Sequence, residues 1–133
     1  MEERKVRDKV VQMSVNDQLL CELYRRALVF VYPSLYEGFG IPILEAFACQ
    51  CPIALSQASC FPEIAEKAAA YFDPYSVESI ANTLLQVIKD KEMRTQLIAA
   101  GKKRLYLYSW DKAAQQTEEV YNKIMIEKYP QTL

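Results

Sequence analysis

"ALVFVYPSLYEGFGIPILEAF", residues 27–47, carries the reading of the fold. Its first part, 27–33, is a continuous run of aliphatic, β-branched and aromatic residues stopped by Pro33. That is the pattern of a parallel strand buried on both faces. A turn holding Gly38 and Gly40 follows. An apolar helix is predicted over 41–49, with Pro42 in its first turn, where its missing N–H costs nothing. Strand, glycine turn and helix start in this order mark the carboxyl end of a strand, where open α/β sheets bind ligands.

The pattern continues on both sides. Towards the amino terminus, "KVVQM" (9–13) reads as a short buried strand, and Asn16 or Asp17 caps a helix running through "LLCELYRRA". Towards the carboxyl terminus, "PIALS" (52–56) and "AAYF" (69–72) read as strands. Between them lies a short helix with Pro62 and Glu63 shaping its start. Ser76 caps an amphipathic helix whose apolar residues Val77, Ile80, Ala81, Leu84, Leu85 and Ile88 fall at helical spacing. A further helix is expected over 91–108, with Gly101 weakening its middle. The alternation of Tyr106, Tyr108 and Trp110 is read as a helix end, not a strand. Ser109 then caps a last helix over 110–128, beside Trp110 as a packed aromatic. Lys102, Lys103 and Arg104 read as a solvated face. Strands alternating with helices imply a parallel sheet with crossover helices. The expectation is an α/β fold: a partial Rossmann-like parallel sheet of about four strands with flanking helices.

The 133 residues suffice for one modest core. Sixteen basic against seventeen acidic residues leave a net charge of −1, which points neither to nucleic acid nor to an anionic membrane surface. The longest stretch without charge, 46–62, contains Pro52 and Pro62 and is too short to span a bilayer. The opening "MEERKVRDK" is too polar for a secretory signal. Four cysteines lack the paired spacing of a zinc site and read as reduced core thiols. With no histidine in the chain, the usual triads and the commonest general base are excluded.

The chemistry suggested by the glycine turn is specific. Free N–H groups at a helix start, with glycines letting the backbone come close, suit a phosphate. Glu37 and Glu45, on either side of the turn, suit paired hydroxyls such as those of a ribose or a sugar ring. Together they fit a ligand carrying both phosphate and sugar. A plainer reading stands beside this one. Glu45 would only favour the helix macrodipole, and the glycines would only form a turn.

The ordered set of "LYRRALVFVYPSLYEGFGIPILEAFACQCPIALS" (23–56), "SCFPEIAEKAAAYFDP" (59–74) and "YSWDKAA" (108–114) closely resembles the carboxy-terminal donor-binding domain of family-4 glycosyltransferases of the GT-B fold. The likeness runs from about Val10 to about Ile124. It includes the Glu-x7-Glu motif on Glu37 and Glu45, along with Pro33, Ser34, the Gly-Phe-Gly turn, Cys51, Pro52, Pro62, Glu63, Asp73, Pro74, Ser109 and Trp110.

The resemblance implies roles. Glu37 contacts the transferred sugar and carries the catalytic assignment. Glu45 binds the ribose. The backbone at Gly38, Phe39, Gly40 and Ile41 lies against sugar and diphosphate, and Leu44 lines the ribose and base pocket. The implied enzyme retains anomeric configuration. It needs no metal and no cofactor beyond a nucleoside-diphosphate sugar as donor substrate. Gln50 stands where the family commonly has glycine. The first two strands of such a domain, with their basic clamp, and the amino-terminal acceptor domain are absent. Arg4, Lys5 and Arg7 precede the wrong strand to replace the clamp.

Residues 1–133 thus read as a single, incomplete donor-binding domain, inactive alone, whose partner is the missing acceptor domain or a split subunit. A nucleotide-binding or regulatory module without turnover is the alternative, and a glycoside hydrolase using both glutamates ranks below it. The expected location is cytoplasmic, peripheral at the membrane in the complete enzyme. The bare edge of strand 27–33 has to be covered, and a homodimer is the expected cover.

Overall fold

The computed structural model describes residues 6–128. Three parallel strands form the sheet, in the order β1 (Phe30–Tyr32), β2 (Ile53–Ser56), β3 (Ala70–Phe72). The register pairs Val31 with Ala54 and Leu55 with Tyr71. Each strand is followed by helix: α2 (Ile41–Ala48) after β1, α3 (Phe61–Ala65) after β2, and α4 (Val77–Lys89) after β3. Helix α1 (Asp17–Arg26) precedes β1, while α5 (Lys91–Leu105) and α6 (Trp110–Lys128) close the order. The alternation expected from the sequence is present, and the fold is α/β with a parallel sheet.

The sheet has three strands rather than about four. Residues 9–13 form no strand; Arg7–Lys9 make one 3-10 turn and 10–16 run without regular structure, with Val10 and Val11 exposed. Their apolar content reads as a strand only if a neighbouring strand offers pairing, and none among the described residues does. For the same reason β1 is half-buried along its length and not buried on both faces as expected. Among the described residues no strand pairs with its outer edge. Arg4 and Lys5 lie outside the described residues.

β2 is the centre of the molecule, with all four residues buried. Its side chains alternate, as a strand requires. Ile53 and Leu55 enter a core with Ile43, Phe47, Phe61 and Ile64, while Ala54 faces a second core with Phe72, Val87 and Leu97. Burying a side chain such as Ile53 or Leu55 contributes about 1.5–3 kcal/mol.

The caps are largely those the sequence indicates. Asn16 accepts from the Leu19 amide at 2.9 Å, Ser76 from Ser79 at 3.1 Å, and Ser109 from Lys112 at 3.3 Å. Gln50 adopts φ 58°, the left-handed region that favours glycine.

Gly101 does not weaken α5 in the sense expected. A Cβ there would lie 2.4 Å from Phe47 Cδ1, so its missing side chain is what lets α5 lie against α2. Arg104 is not part of a solvated face. It donates from Nε to the Ile64 carbonyl at 2.9 Å and from Nη2 to the Glu63 carbonyl at 2.7 Å, and it pairs with Glu66 at 2.9 Å.

Candidate functional site

The segment from Pro33 to Gly40 leaves the carboxyl end of β1 and enters α2. Gly40 is the residue before the helix and takes φ 94°. A Cβ at that position would meet Ile43 Cδ1 and Phe61 Cε1, each at 3.1 Å, so both the backbone conformation and the packing call for glycine. No side chain caps the start of α2, and its second residue is Pro42. The turn therefore presents backbone at a helix start, the arrangement that favours an anionic group.

The turn is held from the neighbouring strand's loop. Ser59 accepts from the Glu37 amide at 3.1 Å and donates to the Glu37 carbonyl at 2.9 Å. Cys60 Sγ lies 3.4 Å from the Glu37 carbonyl and 3.2 Å from that of Phe39. The Glu37 carboxylate accepts from the Tyr32 phenol at 2.7 Å. Burial, and then that hydrogen bond, push the Tyr32 phenol up to about 12, so it remains a proton donor through the neutral range.

Glu45 lies one turn into α2 and accepts from the Tyr24 phenol of α1 at 3.3 Å. Burial, and then the Glu45 charge, hold that phenol well above its ordinary range. The two glutamates thus have separate tyrosine partners on separate elements.

A cleft of 660 Å³ runs between the outer face of α2 and the corner joining α5 to α6. Phe39, Ile41, Leu44 and Glu45 form one wall, with Leu105, Tyr108 and Trp110 across from them. Phe39 and Tyr108 meet edge to face at 5.5 Å. Four of the seven site residues expected from the sequence therefore share one cleft. Glu37, Gly38 and Gly40 sit in the adjoining turn and are not among its lining residues. This cleft thus does not hold both carboxylates, as a hydrolase would need.

Sequence reasoning missed five contributors. Tyr24, Tyr32 and Ser59 hold the glutamates or their backbone, yet no spacing rule links them to positions up to 22 residues away. Tyr108 and Trp110 line the cleft from across the fold. Trp110 is 81% exposed, which corrects its reading as a packed aromatic. A signal existed, in the clustering of aromatics at 106–110, but it was absorbed into the helix end. Among the described residues no group of three or more His, Cys, Asp or Glu side chains is placed to hold a metal ion. No helix there is long and apolar enough to cross a membrane.

The family model described as "Glycosyl transferases group 1" matches residues 1–104. The O-antigen chain mannosyltransferase B of Escherichia coli is 39% identical over 107 residues, covering 80% of this chain and 28% of that protein. An uncharacterized glycosyltransferase of Methanocaldococcus jannaschii is 40% identical over 120 residues, covering 87% of this chain and 31% of that protein. The chain thus spans less than a third of either relative. Among solved structures, sucrose-phosphate synthase from Thermosynechococcus elongatus superposes with a TM-score of 0.80 at 26% identity, over 91% of this chain and 31% of that one. The C-terminal domain of a glycosyl transferase group 1 family protein from Francisella tularensis gives 0.65 at 26% identity, over 79% of this chain and 58% of that one.

Proposed function

The chain belongs to the group 1 glycosyl transferases, and from that premise we propose that it is the nucleotide-sugar-binding part of a retaining, metal-independent transferase. In this reading residues 1–133 are one incomplete carboxy-terminal donor domain of the family-4, GT-B type. Glu45 accepts hydrogen bonds from the ribose hydroxyls. Gly38, Phe39, Gly40 and Ile41 offer backbone to the diphosphate and sugar, and Leu44 lines the nucleoside side of the cleft. Glu37 reaches the transferred sugar as the catalytic carboxylate, acting on the reacting group without forming a bond to it. The preorganised N–H groups at the start of α2 stabilise the charge that develops on the leaving diphosphate, a term that is often the largest in such reactions.

One observation carries the reading. Glu45 is the carboxylate of an otherwise mostly apolar cleft, and that cleft adjoins a glycine turn at an uncapped helix start. A cleft so built suits a ligand with a polar hydroxyl pair, an apolar or aromatic body and an anionic end. Several relatives are mannosyltransferases by name, so a mannosyl donor is the first to try. The acceptor binds in the amino-terminal domain or a split subunit, and the chain alone does not turn over, because rate depends on holding donor and acceptor together. The working location is the cytoplasm, peripheral to the membrane in the complete enzyme. A second copy of the chain, pairing along the β1 edge, is the cover for that edge in the isolated chain.

Calorimetry of the full chain against GDP, UDP and ADP tests the site. At least one should bind weakly, and Glu45→Ala should weaken that binding by about 1–3 kcal/mol, the scale of charged hydrogen bonds to a hydroxyl pair. Absence of binding across the panel, or equal binding by the variant, overturns the assignment.

A further inference from the structure

Cys21 Sγ and Cys49 Sγ lie 3.0 Å apart, one on α1 and the other just after α2. Both are half-buried and both are free thiols. We propose that these two thiols form a redox site that a low-molecular-weight disulfide, such as oxidised glutathione, converts to an intrachain disulfide joining α1 to α2.

The geometry favours this pair over the other thiols. A disulfide needs its sulfurs about 2.05 Å apart, so closing Cys21 to Cys49 takes a movement of about 1 Å, within reach of side-chain rotation. Cys51 is buried at 2% exposure and its thiol is turned to the Pro52 carbonyl. Cys60 is engaged with the carbonyls of Glu37 and Phe39. The Arg25 guanidinium, on the same helix as Cys21, favours the thiolate at Cys49, the form that attacks. Burial, and then the Cys21 neighbour, push the Cys49 thiol up to about 11.

The step balances as an exchange. The thiolate of one of the two cysteines attacks one sulfur of the small disulfide, whose S–S bond breaks and releases one small thiolate. The thiolate of the other then attacks the protein sulfur of that mixed disulfide and expels the second. The two protein thiols lose two electrons and two protons, and the small disulfide is reduced to two thiols.

The position of the link gives it a consequence. Cys21 lies three residues before Tyr24, and the Cys49 amide bonds the Glu45 carbonyl at 3.0 Å. The sulfur contact therefore runs beside the contact between Tyr24 and Glu45, bridging the same two helices. The disulfide closes a loop between positions 28 apart and fixes α1 to α2 in the native arrangement. None of this depends on the nucleotide-binding reading.

The test treats the native full chain with excess oxidised glutathione, then denatures, alkylates and digests it. The expected result is that alkylatable thiols fall from four to two, with a linked peptide pair containing Cys21 and Cys49. Dithiothreitol should restore all four, and the thermal midpoint of the oxidised chain should exceed that of the reduced chain. Cys21→Ser and Cys49→Ser should each abolish the linked pair and leave at most a glutathione adduct. Retention of all four thiols overturns the proposal. So does a link between any other pair, or a Cys21–Cys49 link that forms only in urea.

Discussion

Helices α5 and α6 follow one another, yet they are held very differently. The shorter, of 15 residues, buries Leu97 and Gly101 and sends Arg104 onto carbonyls of α3. The longer, of 19 residues, buries nothing, although it carries Val120, Tyr121, Ile124, Met125 and Ile126. Helix α5 meets partners from this chain: Phe47 beneath Gly101, and Glu66 and Tyr108 around Arg104. Each of those five residues of α6 stays at least 44% exposed. Apolar patterning specifies that a helix forms and that it wants a face covered; it does not specify that the cover lies in the same chain.

The largest effect that would break this contrast is at Arg104. Its side chain is only 16% exposed and satisfies two backbone carbonyls, one carboxylate and the Tyr108 hydroxyl. Arg104→Met keeps much of the volume but takes the guanidinium from the Glu63 and Ile64 carbonyls, leaving Ile64 only the long bond from the Tyr108 hydroxyl at 3.4 Å. It should cost about 3 kcal/mol, the scale for charged hydrogen bonds lost together from a shielded site. Urea unfolding of both chains measures it. A loss under about 0.5 kcal/mol would return Arg104 to the solvent-facing class of α6.

Alkali should produce the next largest effect, on the same side of the molecule. Cys51 belongs to the core that α5 packs against, and burial raises its thiol to about 11 from an ordinary 9.0. The neutral thiol is the form the fold prefers. Its contribution is therefore complete below about pH 9 and is lost as pH rises towards 11. A shift of this size corresponds to roughly 2–3 kcal/mol. Thermal midpoints should hold steady from neutral pH to about 9 and then fall. Cys51→Ala should blunt the first part of the fall; an unchanged alkaline limb would mean that the thiol is already solvated in the native chain.

The contrast also explains what was legible in the sequence. β2, β3, the caps at Asn16, Ser76 and Ser109, and the glycine at 40 all depend on local pattern or on backbone conformation, which short stretches encode. Residues 9–13 were misread because a strand is defined by its neighbour, and the sequence there shows only the apolar half of the requirement. Arg104 was misread because it sits beside Lys102 and Lys103, and linear context cannot reveal that one of three adjacent cations turns inwards to positions about 40 residues earlier. For the site, the turn and both glutamates were legible. The tyrosines that hold the carboxylates and the far wall of the cleft were not, since tertiary contact alone brings them there.

The smallest effect is expected on α6, and its sign is informative. Val120 and Ile124 are 55% and 44% exposed and lie one turn apart. Replacing both by lysine removes apolar surface that the described fold leaves largely exposed. Lysine also has a higher helix propensity than either β-branched residue, by a few tenths of a kcal/mol at each position. The double variant should therefore unfold within about 0.5 kcal/mol of the native chain, on the stabilising side if the helix is free. An isolated helix of this length is marginal in water, so its helical signal should rise slightly rather than fall. The contrary outcome has a definite meaning. If the double variant loses more than about 1 kcal/mol, and the loss grows with protein concentration, then α6 is packed on a second copy of the chain. Light scattering at micromolar concentration would then show the native chain as a dimer and the variant as a monomer. The difference between α5 and α6 would become one of which chain supplies the cover, not of whether there is one.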